Sequence, residues 1–213
     1  MAKFPNSPGV AALAAVEPSW VKLPVGSSLA RVYYTSSAHP LAWNEFRHFS
    51  PLNFRWDHHL ASEAGEPEDQ ARGVYYAAVD ARTCLAEVFQ STRRIDRVYQ
   101  APWLVVFKTG AALNLLDLAG EFATRLGASM AIHSGSRARA RGWARDLYAA
   151  FPAAQGILYA SSMHAAQPAL ALNERALEQP LFPAHPELHR ALADDVLVDP
   201  LKHAATALGY ALR

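Results

Sequence analysis

Along this chain, apolar residues either crowd into short β-prone runs or recur on one helical face. "SLARVYY" at 28–34, "GVYYAAV" at 73–79, "PWLVVFK" at 102–108 and "NLLDL" at 114–118 are rich in β-branched and aromatic residues and predict strands. "GILYAS" and "PALALNE" predict two more. Ala140, Trp143, Ala144, Leu147, Tyr148 and Phe151 share one helical face, which predicts a helix over 136–151 that Pro152 stops. Asp80 is a good N-cap and Cys84, Leu85 and Val88 follow at helical spacing, so the strand at 73–79 should lead directly into a short helix. Asp117 is expected to cap a helix over 118–126. The remainder reads as a Pro- and Ala-rich extension over 1–26 and an irregular tail from about 180. With no internal repeat, the pattern predicts a single α+β domain over 27–213.

Composition narrows the partners. A chain of 213 residues that is 51% hydrophobic can bury a sizeable core. Twenty basic against nineteen acidic residues leave a net charge of +1, without the basic surplus of a protein held by phosphates, so direct nucleic-acid binding is not expected. The lone cysteine, Cys84, allows no disulfide within the chain and points to a reducing, cytoplasmic setting. The apolar run Gly9–Val16 is closed by Glu17-Pro18, which argues against a secretory signal, and no stretch approaches the length of a membrane span.

Several familiar chemistries have no footing. There is no G-x-S-x-G, no phosphate-binding G-x-x-x-x-G-K-[ST] and no G-x-G-x-x-G. His185 and His189 lie four apart, but Pro186 and the lack of a third ligand argue against a metal. The adjacent His58 and His59 read as a solvated loop pair, and Arg137, Arg139, Arg141 and Arg145 as the solvated side of their helix. Four polar residues in apolar or aromatic surroundings remain: Arg55, Tyr76, Glu87 and Ser161. Taken singly, each has an ordinary structural explanation: a surface arginine, a core tyrosine, a salt-bridging glutamate, a turn serine.

Taken in order, they resemble the RES family, named for its arginine, glutamate and serine. The matching pieces are "ARVYY" with Arg31, "FRWD" with Arg55, "VYYAAVD" with Tyr76, "CLAEV" with Glu87, and "GILYASSMHAAQPALALN" with Ser161. Tyr76 and Glu87 stand eleven residues apart, as in the family pattern. The chain departs from that pattern at Phe54, where glycine is expected, at Met163, where many members place arginine, and at Asn173, where phenylalanine is common.

The resemblance implies a fold similar to the ADP-ribosyltransferase catalytic core, with short twisted sheets and flanking helices. It also implies a toxin role in a bacterial toxin–antitoxin pair. NAD would be substrate rather than resident cofactor, no metal would be used, and the partners would be a helix-turn-helix antitoxin and, compatibly, a second copy in a homodimer. Glu87 would stabilise the oxocarbenium-like ribose as the nicotinamide bond breaks. Arg55, with Arg31 as a second contact, would bind the diphosphate. Tyr76 would stack on nicotinamide, and Ser161 would bond the ligand or hold Glu87. Hydrolysis, phosphorolysis and ADP-ribose transfer to a protein all fit this chemistry. An NAD-binding protein without appreciable turnover is the alternative, and an unrelated globular protein with chance motifs the bland one.

Overall fold

Alternating side chains on the strands give the protein two chemically different faces. The computed structural model describes residues 3–50, 52–61 and 66–213. In chain order the first elements are α1 (Val10–Ala14), β1 (Trp20–Leu23), β2 (Ser28–Tyr34), β3 (Arg47–Ser50), β4 (Glu68–Ala78), α2 (Ala81–Val88), β5 (Arg94–Ile95), β6 (Pro102–Lys108) and β7 (Leu113–Asp117). There follow α3 (Phe122–Arg125), α4 (Arg137–Ala150), β8 (Gly156–Ala160), β9 (Pro168–Asn173), β10 (Leu188–Ala191), α5 (Val198–Leu208) and β11 (Ala211–Leu212). Among the described residues, nine strands form one sheet in the order β1-β7-β8-β9-β4-β2-β6-β10, with β3 joined to β4, and β5 and β11 form a separate ribbon. The β7–β8 pairing is parallel, and the chain crosses between them through α3 and α4. The α+β class is as expected, but the strands merge into one broad sheet rather than several short ones.

One face carries Ala30, Val32, Val74, Ala78, Leu116, Ile157, Tyr159, Ala169 and Ala171, and packs against Cys84, Leu85 and Phe89 of the α2 region, Ala140, Trp143 and Leu147 of α4, and Leu201, Ala204 and Ala205 of α5. The other face carries Leu29, Tyr33, Tyr75, Ala77, Val105, Phe107, Leu158, Leu170 and Leu172. It is covered by Phe46, Leu181, Trp43 and Phe182, which come from connecting segments. Neighbouring residues on a strand therefore meet different partners: Tyr75 faces the aromatic cover and Tyr76 the helices.

Local chemistry explains the elements that position the site. Asp80 caps α2 by accepting from Thr83 N. Ser136 caps α4 by accepting from Arg139 N. Gly156 opens β8 because a Cβ there would lie 2.6 Å from the Ala171 carbonyl oxygen of the paired strand, an approach only glycine tolerates.

Three expectations need correction. Asp117 accepts from Ala119 N and Gly120 N, so it shapes a turn rather than capping a helix over 118–126; the helix is confined to α3, with Glu121 at its cap position. The segment read as a Pro- and Ala-rich extension contributes β1 to the sheet and seats Phe4 and Leu13 in the core, where Trp143 Nε1 donates to Pro5 O. The region from 180 onward is not irregular, since it supplies β10, α5 and β11. Pro200 hid α5 from a pattern reading, yet it sits in the first helical turn, where a missing N–H breaks no internal bond. Gly209, at φ 64°, ends that helix in the left-handed conformation.

Candidate active site

Ser161 follows β8 with the same alternation as Ile157 and Tyr159, which turns it toward the helices. There its hydroxyl donates to Glu87 Oε1 at 2.5 Å, joining the end of β8 to the last turn of α2. The serine oxygen in turn accepts from Met163 N at 3.2 Å and His164 N at 3.1 Å. A tight loop with Ala165 and Ala166 at positive φ brings these amides round, and Thr83 Oγ1 bonds His164 Nδ1 to pin the loop on α2. Its O–H is directed at Glu87 and its oxygen accepts from two amides, so no base in this arrangement is placed to take the Ser161 proton other than Glu87 itself.

Burial raises the Glu87 carboxyl above the ordinary glutamate range, and the Ser161 bond and the charges of Arg55 and Arg137 partly offset it. Arg55 is half-buried, and its Nη1 donates to Ile132 O at 3.2 Å and Gly135 O at 2.8 Å. Burial lowers its proton affinity, as does Arg137, the first residue of α4. Among the described residues neither guanidinium has a carboxylate within ion-pair distance. Two like charges held near the start of α4 are matched to an anion with several oxygens.

Tyr76 retains some exposed surface, and its hydroxyl accepts from Trp56 N at 3.0 Å, which fixes the ring beside the segment that carries Arg55. Burial pushes its phenol far above the ordinary range, so it stays protonated. Tyr159 is buried on the same face and likewise held neutral by burial and by Glu87. Phe54 lies at the edge, its ring 5.9 Å from that of Tyr76.

A second polar network stiffens this region. His58 and His59 are buried, contrary to the expectation of a solvated pair, because the loop folds inward over β4. Asp57 accepts from Arg47 Nη2, Ser50 Oγ and Leu52 N and lies 3.5 Å from His59 Nδ1. Burial opposes its ionisation, but these bonds outweigh that and hold it below the ordinary aspartate range. His58 stacks on Tyr148 and its Nε2 is 3.4 Å from Glu174. Glu174 also accepts from Tyr148 OH at 2.5 Å and Gly73 N at 2.8 Å. These bonds overcome the burial penalty and hold its pKa at about 2.

Glu87, Ser161, Tyr76 and Arg55 thus come together on the helix-covered face. Arg31 does not. On β2 it alternates with Ala30 and Val32, so it points to the opposite face, where it lies 4.1 Å over the Tyr75 ring and donates to Glu45 O. Because both faces of β2 are apolar, its sequence pattern carries no sign of which side Arg31 takes. Arg137 was read as a solvated arginine, and only the packing of α4 reveals its place near Arg55 and Glu87. His189 bonds Tyr33 OH at 2.6 Å and lies among Trp43 and Trp103, and no metal-binding cluster exists among the described residues.

The sequence matches the RES domain over residues 28–193. The chain belongs to the RES domain family. Among curated proteins none matches it. The fold of this RES protein is similar to that of a chain in the crystal structure of the M. tuberculosis MbcT–MbcA toxin–antitoxin complex, with a TM-score of 0.51 and 18% identity over 79% of this chain and 85% of that one. The match to the family stops before α5, so that helix lies outside it. No helix among the described residues is long and apolar enough to cross a membrane.

Proposed function

We propose that this RES protein is the toxin of a toxin–antitoxin system and cleaves the nicotinamide–ribose bond of NAD. The observation that carries the reading is the pairing of Glu87 with Ser161 beside two guanidiniums, Arg55 and Arg137, that among the described residues have no carboxylate within ion-pair distance. Membership of the RES family and the fold shared with a toxin–antitoxin complex support it.

In this reading Arg55 and Arg137 bind the diphosphate, and the ribose is drawn against Glu87. The bond between ribose C1′ and the pyridinium nitrogen breaks, its electron pair leaves with neutral nicotinamide, and positive charge develops on the sugar. A carboxylate already oriented by Ser161 stabilises that charge without reorganising during the reaction. Tyr76, fixed through its hydroxyl, packs against the nicotinamide ring. The acceptor, which is water, phosphate or a protein side chain, then bonds to C1′ and loses its proton. A helix-turn-helix protein is the antitoxin partner, and the reaction takes place in the cytoplasm.

Glu87→Gln keeps the side chain's size and removes its charge. The variant should stay folded while NAD cleavage falls at least a hundredfold, equivalent to about 3 kcal/mol of transition-state stabilisation. Nicotinamide release by the purified protein, followed chromatographically, reads this directly. A folded variant that turns NAD over at the wild-type rate would remove Glu87 from the reaction.

A further inference from the structure

The segment that carries Arg55 is fastened at nearly every residue, and Phe54 is the exception. Asn53 accepts from Arg141 Nη1 at 2.9 Å and from Arg137 Nη1 at 3.4 Å, which ties it to α4. Arg55 is bonded to the carbonyls of Ile132 and Gly135, Trp56 N to Tyr76 OH, and Asp57 to Arg47. Between these anchors Phe54 remains 48% exposed, although it belongs to a chain that buries most of its large aromatics. An aromatic ring and a cation lie beside it. Tyr76 lies 5.9 Å away at an interplanar angle of 45°, and the Arg47 guanidinium sits 5.0 Å from its centroid.

Arg47 is itself anchored by several bonds. It donates to Phe49 O at 2.7 Å and Ser50 Oγ at 2.9 Å, and it pairs with the fully buried Asp57. A cation anchored on a buried carboxylate therefore lies against the ring of a residue that is still exposed to solvent. Leaving that apolar area exposed on a segment bonded at both sides gains the fold nothing, whereas a planar ligand ring entering beside Tyr76 would cover it.

We propose that Phe54 and Tyr76 form an aromatic corner that receives the nicotinamide ring of the dinucleotide, with Phe54 a binding residue for that ring. The proposal rests on the NAD reading above and extends it to the residue that grips the leaving group.

Affinities for NAD and for ADP-ribose, which lacks the nicotinamide ring, test it. Titration calorimetry is done on a Glu87→Gln background, where turnover is at least a hundredfold slower. Phe54→Ala should weaken NAD binding by about tenfold and leave ADP-ribose binding within twofold, while Phe54→Trp should restore NAD affinity. In the active protein, Phe54→Ala should raise KM for NAD with little change in kcat. Unchanged NAD affinity in Phe54→Ala would overturn the corner while leaving the NAD reading standing. Equal losses for both ligands would place Phe54 on the shared ADP-ribose part and also overturn it. Failure of the Glu87→Gln protein with intact Phe54 to bind either ligand would overturn the NAD reading, and the corner with it.

Discussion

Glu87 shows how one side chain can trade stability for chemistry. Its carboxyl is raised by burial, so its contribution to folding favours the protonated form, is fully present below the unfolded-state value and is lost as pH rises through the folded one. Glu87→Gln should therefore melt no lower than wild type at neutral pH, with any advantage shrinking in acid. The same shift sets the acid limb of activity, because the proposed role needs the carboxylate. Ser161 lowers the raised value by its hydrogen bond. Ser161→Ala should thus move the acid limb of kcat/KM to higher pH and lower the plateau by roughly tenfold, about one charge-assisted hydrogen bond. An unmoved limb would mean that Ser161 does not tune Glu87. Labelling of Ser161 by a fluorophosphonate would make it a nucleophile instead, against the two amides that occupy its oxygen.

At the scale of elements, α2 and the loop after β8 are locked together by two side-chain bonds one helical turn apart, Thr83 to His164 and Ser161 to Glu87. The carboxylate is thereby held from both its own helix and the sheet. The Glu174 network plays a comparable part on the other side of Tyr76, joining the residue after β9 to Gly73 on β4, Tyr148 on α4 and the buried His58. A carboxylate held at about 2 contributes stability above its unfolded value near 4.5 that is lost as pH falls through that interval. Glu174→Gln should cost about 1–3 kcal/mol in urea denaturation at pH 7, and the difference from wild type should shrink as pH approaches 2. A cost independent of pH would assign the loss to packing rather than charge.

On the scale of the molecule, the site depends on parts of the chain that carry none of its chemistry. Helix α5 packs Leu201, Ala204 and Ala205 into the helix-side core, and Tyr210 donates to Ala86 O immediately before Glu87. A chain ending at residue 193 would strip that cover from α2. It should unfold without a sharp transition and lose NAD cleavage, whereas Leu201→Ala in the full chain should cost about 2–5 kcal/mol and remain cooperative. Thermal melts and urea titrations of the two proteins check both outcomes. A truncated chain with wild-type melting would show that the domain is complete without α5.

Local rules were enough for the elements whose periodicity and caps agree. The strands at 28–34 and 102–108 and the helix after Ser136 lie where the pattern put them, and the ordered motifs alone point to the RES family. What the sequence left open depends on contacts between distant segments. Arg31 lies in a strand with apolar residues on both faces, so only the positions of the helices and of Trp43, Tyr75 and Glu45 determine that it turns away from Glu87. Burial of His58 and His59 depends on Arg47 and Glu174 arriving from separate elements to pair with Asp57 and His58 of the loop. Arg137 joins the site only because the long crossover from β7 to β8 brings the start of α4 beside Arg55. A local pattern specifies an element because its cause lies within a few residues, whereas the partner of a buried charge is selected by the packing of the whole sheet.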